Sequence, residues 1–222
     1  MEINKVVILG GGEAGEKIRD LFSKAGLRVA MPDLKTDYLG ELADADMVLE
    51  ALPGDMESRK EILRKCDEKA PQKTIFATTA SSGITEMAAV TKRPQKTSGL
   101  NFTFNPVEEK CLVQIVKQLE TSEETLQACK GLVAKVGATA IEVEDSPGLI
   151  LNRVMAAIIN EAATMYASKI ATIEDMDKVT RLCLNWPMGP FQFADTIGID
   201  NVVATLETLS QQKGPQYIPV RD

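Results

Sequence analysis

The run Val6-Val7-Ile8-Leu9 passes directly into Gly10-Gly11-Gly12-Glu13-Ala14-Gly15, a short apolar strand that ends in glycines and reopens as a helix. A buried strand followed at once by a helix is the first βα unit of a doubly wound α/β sheet. The Gly10-x-Gly12-x-x-Gly15 spacing gives each glycine a separate task. The first permits the tight turn, the second lets backbone approach a pyrophosphate, and the third lets helix and strand pack closely. Helix-terminal N–H groups and the macrodipole then favour phosphate charge. Asp33 follows Gly15 by 18 residues at the end of the expected second strand. A carboxylate there binds both ribose hydroxyls and repels a 2′-phosphate, so NAD is expected over NADP. Gly10, Gly12, Glu13, Ala14, Gly15 and Asp33 are the expected cofactor contacts, with Glu13 bringing a negative charge near the phosphates. The plainer alternative is a loop made of three glycines; strand, helix and Asp33 together weigh against it.

The remainder of the first two-thirds alternates short apolar runs with helical patterns. Strands are expected at Val6–Leu9, Arg28–Met31, Met47–Leu52, Thr74–Ala77, Gly99–Phe104, Leu112–Val116 and Ala138–Val143. Between them, Ala14, Ile18, Leu21 and Phe22 mark one helix face, and Met56, Ile62 and Leu63 another. Beyond Asp145-Ser146-Pro147-Gly148 only helical periodicity continues: Ile150, Val154, Ile158, Ala162, then Met176, Val179, Leu182, Cys183. The expected fold is a Rossmann-type, mostly parallel α/β sheet over residues 1–145, followed by a small all-α C-terminal domain over 146–222.

Composition narrows the function classes. With 25 basic and 32 acidic residues the net charge of −7 argues against a broad nucleic-acid surface. The cysteines Cys66, Cys111, Cys129 and Cys183 form no C-x-x-C pair, and the sequence has no histidine, so no metal site is expected. Reduced structural thiols are the simpler reading. Met1-Glu2-Ile3-Asn4-Lys5 does not resemble a signal peptide, and no apolar run reaches the length of a membrane span. A cytoplasmic protein is the expectation.

Three more segments carry a family resemblance: Leu100-Asn101-Phe102-Thr103-Phe104-Asn105-Pro106-Val107, Asp145-Ser146-Pro147-Gly148-Leu149-Ile150-Leu151-Asn152-Arg153, and Pro187-Met188-Gly189-Pro190-Phe191-Gln192-Phe193-Ala194-Asp195. With the glycine loop and Glu50-Ala51-Leu52-Pro53, the chain resembles the L-3-hydroxyacyl-CoA dehydrogenase family over nearly its whole length. The resemblance implies NAD-dependent oxidation of a 3-hydroxyacyl thioester in fatty acid metabolism, with an acyl-CoA substrate. It also implies a helical C-terminal domain for substrate and for a homodimer, to which Ile150, Val154 and Ile158 are the apolar candidates, although they could equally face the first domain. Leu52 and Pro53 fall among its cofactor contacts. Ser81 matches its substrate-oxygen serine, Asn105 stays beside its Asn-Pro motif, and Asn152 matches its asparagine near the nicotinamide.

Other positions depart from the pattern. The family's proton-abstracting histidine falls on Phe102 counting back from Asn105-Pro106, and on Asn101 counting forward from Gly99-Leu100. Its orienting glutamate falls on Gln114. Gly54 replaces a glutamate facing the nicotinamide, and a helical segment that helps grip coenzyme A is reduced to the 13 residues between Asp33 and Met47. The chain stops at Asp222, before the family's usual closing glycine-aromatic segment. Substitute bases would be Glu108, Glu109, Lys110 or Cys111, with a solvated turn as the plainer reading of the first three. Structural alternatives remain for the matched residues: Asn105-Pro106 as a strand-ending turn, Asn152 as a helix cap, and Pro187–Pro190 as a rigid bend. Three functional readings stand: a dehydrogenase-like oxidoreductase with an altered proton site, a non-catalytic NAD-binding subunit or sensor that could pair with an active relative, and a reductase whose proton comes from water or substrate.

Overall fold

The structure, a computed structural model, describes residues 1–36, 38–104 and 111–220. Two compact units divide between Asp145 and Ser146.

The first unit is built on one seven-stranded sheet in the order β2-β1-β3-β4-β5-β6-β7. Its strands are β1 (Lys5–Leu9), β2 (Arg28–Ala30), β3 (Met47–Glu50), β4 (Ile75–Thr78), β5 (Thr97–Phe104), β6 (Cys111–Lys117) and β7 (Thr139–Glu144). All seven expected strands are present, and every pairing is parallel except β5 with β6. Strands β1, β3 and β4 are buried almost throughout, as two-sided burial demands of a parallel sheet. One face packs Val6, Ile8, Met47, Leu49 and Ile75 against α1 (Glu13–Lys24) and α4 (Glu123–Lys135), through Ile18, Phe22, Leu126 and Leu132. The other face packs Val7, Leu9, Val48 and Phe76 against α2 (Met56–Lys69), through Leu63 and Cys66. In α1 the inward positions are Gly15, Ile18 and Phe22, while Ala14, expected on that face, is exposed.

The chain leaves β1 toward β2 on one side and, after β2, returns to the other side of β1 as β3. The switch point, where open α/β sheets bind ligands beyond the strand ends, therefore lies between β1 and β3. The usual dinucleotide order places a further strand outside β2. Here β2 is the sheet edge, and among the described residues the link to β3 holds only a 3-10 helix at Tyr38–Leu42.

The second unit is helical: α5 (Leu151–Ala167), α6 (Ile173–Leu184), α7 (Pro190–Ile197) and α8 (Ile199–Lys213). Its core joins Met155, Ala156 and Ile159 to Ala194, Val202, Leu206 and Leu209. The buried stripe of α5 is thus rotated from the expected one: Ile150 and Val154 are half exposed, and Ile158 only borders the core. Likewise Val179 and Leu182 on α6 face outward. Asp177 accepts the Phe191 and Gln192 backbone N–H groups at 2.9 and 3.2 Å, capping α7 from a buried position. Gly189 permits this approach, because a Cβ there would overlap Asp177. Pro190 opens α7, so the Pro187–Pro190 run is the bend expected from the sequence.

Candidate active site

Three loops at the carboxyl ends of β1, β3 and β4 define the site. In the first, Gly10 has φ +131°, and a Cβ there would overlap the Ala51 carbonyl at the end of β3. Gly15 is equally constrained, since a Cβ would overlap the Gly10 carbonyl oxygen. Gly12 differs from both. It caps α1 in extended conformation with no side-chain capping bond, and a Cβ there would meet nothing within 4 Å. The first and third glycines thus fix the loop on the sheet, while the second leaves open space above uncapped helix-terminal N–H groups. That is the shape and polarity a pyrophosphate requires. Glu13 and Ala14 are exposed at this rim. The Glu13 carboxylate bonds Lys17 Nζ at 2.6 Å one turn along, and this partner lowers its pKa and offsets the charge that the sequence places near the phosphates. Asp33 is exposed three residues past β2, with Oδ1 accepting from the Lys35 N–H.

The second loop is held by a buried carboxylate. Glu50, 0% exposed, takes a two-pronged bond from Arg59 (2.9 and 2.6 Å), a bond from Thr78 Oγ1 (2.7 Å) and one from the Leu52 N–H (2.7 Å). This cluster ties β3, β4 and α2 together and sets the course of Leu52, Pro53 and Gly54. Leu52 is half buried, Pro53 and Gly54 are exposed, and Gly54 has φ +113°. Arg59 escaped the sequence reading; its one signal is an arginine nine positions beyond an acid that ends an apolar strand.

The third loop carries Ser81, half buried in the bend after β4. Gly83 begins the one-turn helix α3 (Ile84–Ala88) at φ +72°, and Thr85 is held by Asp145 through its N–H and Oγ1 at 2.8 and 2.7 Å. Asp145, the last residue of the first unit, therefore anchors the far side of the Ser81 loop.

Beside this loop the antiparallel register sets Asn101 opposite Gln114 and Phe102 opposite Val113. Gln114 Nε2 donates to Asn101 Oδ1 at 3.3 Å, and Asn101 Nδ2 donates to the Thr79 carbonyl at 3.0 Å. Phe102 turns to the other face, edge-on to Phe22 at 5.8 Å and stacked near Phe104 at 6.4 Å. Of the two positions reached by counting, Phe102 is an aromatic core residue, and Asn101 is the partner of Gln114. The cause is the strand's two-residue period: counting across a run one residue longer than the pattern inverts the face.

Asn105, Glu108, Glu109 and Lys110 lie outside the described residues. Cys111 is a buried strand residue whose thiol burial pushes up to about 11, which disfavours it as a base near neutrality. In the second unit Asn152 is half buried within the first turn of α5, whose cap is Ile150, so the capping alternative does not hold. Among the described residues no cluster of three acidic or thiol side chains could hold a metal, and no helix is long and apolar enough to cross a membrane.

A mostly parallel sheet with a glycine cradle at its switch point, followed by a helical unit, is the architecture of dinucleotide-binding α/β proteins. Comparison with known proteins narrows this class. Residues 33–146 match the model described as 3-hydroxyacyl-CoA dehydrogenase, NAD binding domain, and residues 148–221 match 3-hydroxyacyl-CoA dehydrogenase, C-terminal domain. The chain is 34% identical to "Probable 3-hydroxybutyryl-CoA dehydrogenase" of Bacillus subtilis, over 96% of this chain and 88% of that protein. It is 38% identical to 3-hydroxybutyryl-CoA dehydrogenase of Clostridioides difficile, over 78% of this chain and 62% of that one. The crystal structure of (S)-3-hydroxybutyryl-CoA dehydrogenase from Ralstonia eutropha superposes with a TM-score of 0.90 at 29% identity, covering 98% of this chain and 91% of that one. The protein belongs to the 3-hydroxyacyl-CoA dehydrogenase family of NAD-dependent oxidoreductases. The Bacillus match extends over 253 positions, more than the 222 residues of this chain, so it includes positions without a counterpart here.

Proposed function

We propose that the protein interconverts a 3-hydroxyacyl thioester and its 3-oxoacyl form, with a short acyl-CoA as substrate and NAD as hydride carrier. The observation that carries this reading is the cradle: two glycines that only glycine can occupy, around a third that leaves space above bare helix N–H groups. Gly10, Gly12, Glu13, Ala14 and Gly15 would hold the pyrophosphate, Asp33 the adenosine ribose, and Leu52 and Pro53 the approach to the nicotinamide. Bound NAD supplies the group that accepts or returns hydride. The chain's own residues orient the thioester, with Ser81, Asn105 and Asn152 as hydrogen-bonding groups for its oxygens.

In this reading the first unit binds NAD, and the second binds substrate and joins a second copy of the chain. Val179, Leu182 and Leu184 of the second unit are 58, 74 and 54% exposed, an outlay of apolar surface that a homodimer would cover. The same proposal takes the protein to act in the cytoplasm. A second reading, an NAD-binding subunit or sensor without turnover that pairs with an active relative, is favoured by one observation. Asn101 and Gln114, neither able to take a proton near neutrality, stand opposite each other where the family resemblance puts a histidine and its glutamate.

The test is oxidation of NADH by acetoacetyl-CoA, alongside NADH binding followed by melting temperature. Turnover with binding supports the enzyme. Binding without turnover for any 3-oxoacyl thioester supports the sensor, and absence of binding refutes both.

A further inference from the structure

The orientation of the Asn101 amide is fixed by valence. The Thr79 carbonyl can only accept, so the NH2 end of Asn101 must face it, at 3.0 Å. The oxygen end then faces Gln114 and needs a donor there, which Gln114 Nε2 provides at 3.3 Å. A side-chain amide nitrogen carries two N–H bonds, and the Thr79 carbonyl takes one of them. The other is uncommitted among the described residues, on a half-buried side chain in the middle of β5 that reaches, through the Thr79 carbonyl, to within two residues of Ser81 in the chain. The site thus holds a preset donor where proton chemistry would call for a base.

We propose that Asn101 is the carbonyl-polarising residue of this site. It donates its second N–H to the 3-oxo oxygen of the substrate, with Gln114 and the Thr79 carbonyl as positioning groups, and water exchanges the proton. The inference rests on the 3-oxoacyl reading above. In reduction, hydride supplied by NADH forms the new C–H bond, and the C=O π pair moves onto oxygen. That oxygen takes a proton from water, leaving hydroxide, and NADH becomes NAD⁺. The N–H of Asn101 stabilises the developing oxyanion without changing its own protonation state. The exchange of a base for a donor predicts a reaction with no titrating side chain at this position.

The experiment is the pH profile of kcat for acetoacetyl-CoA reduction in the parent and three variants, with the NADH-induced melting shift as a check on fold and cofactor binding. The parent shows no titration near pH ~6.5, where a histidine base would give one. Asn101→Ala lowers kcat on the order of 10²- to 10³-fold, with KM little changed. Gln114→Glu is the sharper variant. An ionised carboxylate cannot donate to Asn101 Oδ1, and turning the amide sets its oxygen against the Thr79 carbonyl. Its kcat therefore falls about tenfold or more near pH 8 and recovers as the carboxyl is protonated and donates again. A structural role for Gln114 would not produce that pH-linked recovery. Asn101→His with Gln114→Glu supplies a matched pair and installs a titration near pH ~6.5. Parent turnover that survives Asn101→Ala, or a Gln114→Glu loss that stays flat with pH, overturns the inference and leaves the dehydrogenase reading standing. A parent that binds NADH but turns over no 3-oxoacyl thioester overturns both.

Discussion

Replacing Gly12 by alanine separates folding from cofactor binding within one residue. The backbone at Gly12 has φ −81° and ψ 174°, open to any L-residue, and the added methyl would meet nothing within 4 Å. Alanine is a poorer helix cap than glycine, but it restricts the unfolded chain, and these opposing terms leave a net change of about 0.5 kcal/mol in either direction. The cofactor-free melting temperature should then move by about 2 °C at most. Cofactor binding should behave differently, because the methyl occupies the space through which phosphate reaches the α1 amides. Losing two hydrogen bonds to a charged group, at about 1.5–3 kcal/mol each, weakens affinity by a factor of about 100 or more. At a NAD concentration of about 100 times the parental Kd, the parent gains about 2.7 kcal/mol, a rise of about 5–11 °C for a chain of this size. The variant at the same concentration gains about 0.4 kcal/mol, or roughly 1 °C. Differential scanning fluorimetry with and without NAD reads both numbers. Gly15→Ala is the control: its Cβ would overlap the Gly10 carbonyl, so it should destabilise the apo protein by about 1–3 kcal/mol. A Gly12→Ala protein that melts like the parent and gains the full NAD increment would refute the cradle argument.

Three other perturbations address the first unit. Arg59→Met leaves the fully buried Glu50 carboxylate without its counter-ion and should cost about 3–5 kcal/mol in urea unfolding; a loss below about 1 kcal/mol would contradict the pairing seen here. Burial alone would raise the Asp46 carboxyl, but Lys73 Nζ at 2.5 Å and the Lys5 and Asn4 backbone N–H groups outweigh it, so the group titrates below its ordinary value. Its stabilising contribution is complete above pH ~4, the unfolded carboxyl value, and is lost as pH falls through the lower folded value. Asp46→Asn should accordingly flatten the acid limb of a stability–pH curve, and an unchanged limb counts against it. Burial pushes the Cys66 and Cys129 thiols up to about 12 and Cys111 to about 11, while Cys183 is exposed. Native protein should therefore give at most one prompt thiol equivalent with a disulfide reagent, and Cys183→Ser should abolish it; a second fast equivalent would contradict the burial.

Much of the fold was legible because its signals are local. A parallel strand buried on both faces is a continuous apolar run, and the seven runs bounded by glycine, proline or helical spacing are the seven strands. Strand order was not legible, since nothing in residues 31–46 states that the chain crosses back over β1 without adding an outer strand. Helix faces were harder in the second unit. Ile150, Val154, Val179 and Leu182 have the right spacing for a core stripe yet face outward, because periodicity finds an apolar face without saying what covers it. In the site, glycine spacing marked the cradle, but Phe102 and Asn101 could not be told apart by counting. Only the pairing register shows which one shares a face with Gln114. The Glu50–Arg59–Thr78 cluster was invisible for a related reason: its members come from β3, α2 and β4, and only sheet closure brings them together.

The seating of Gly10 against Ala51 has a bearing on how affinity could drift over time. Because the floor of the cradle is locked into the strand ends, it is finished when the sheet forms, and an arriving dinucleotide has little left to organise. Substitutions that tune the grip without harming the scaffold would fall at Gly12, where an added methyl meets nothing, and at the proposed rim of Glu13, Ala14, Leu52 and Pro53. The floor permits only retention or collapse.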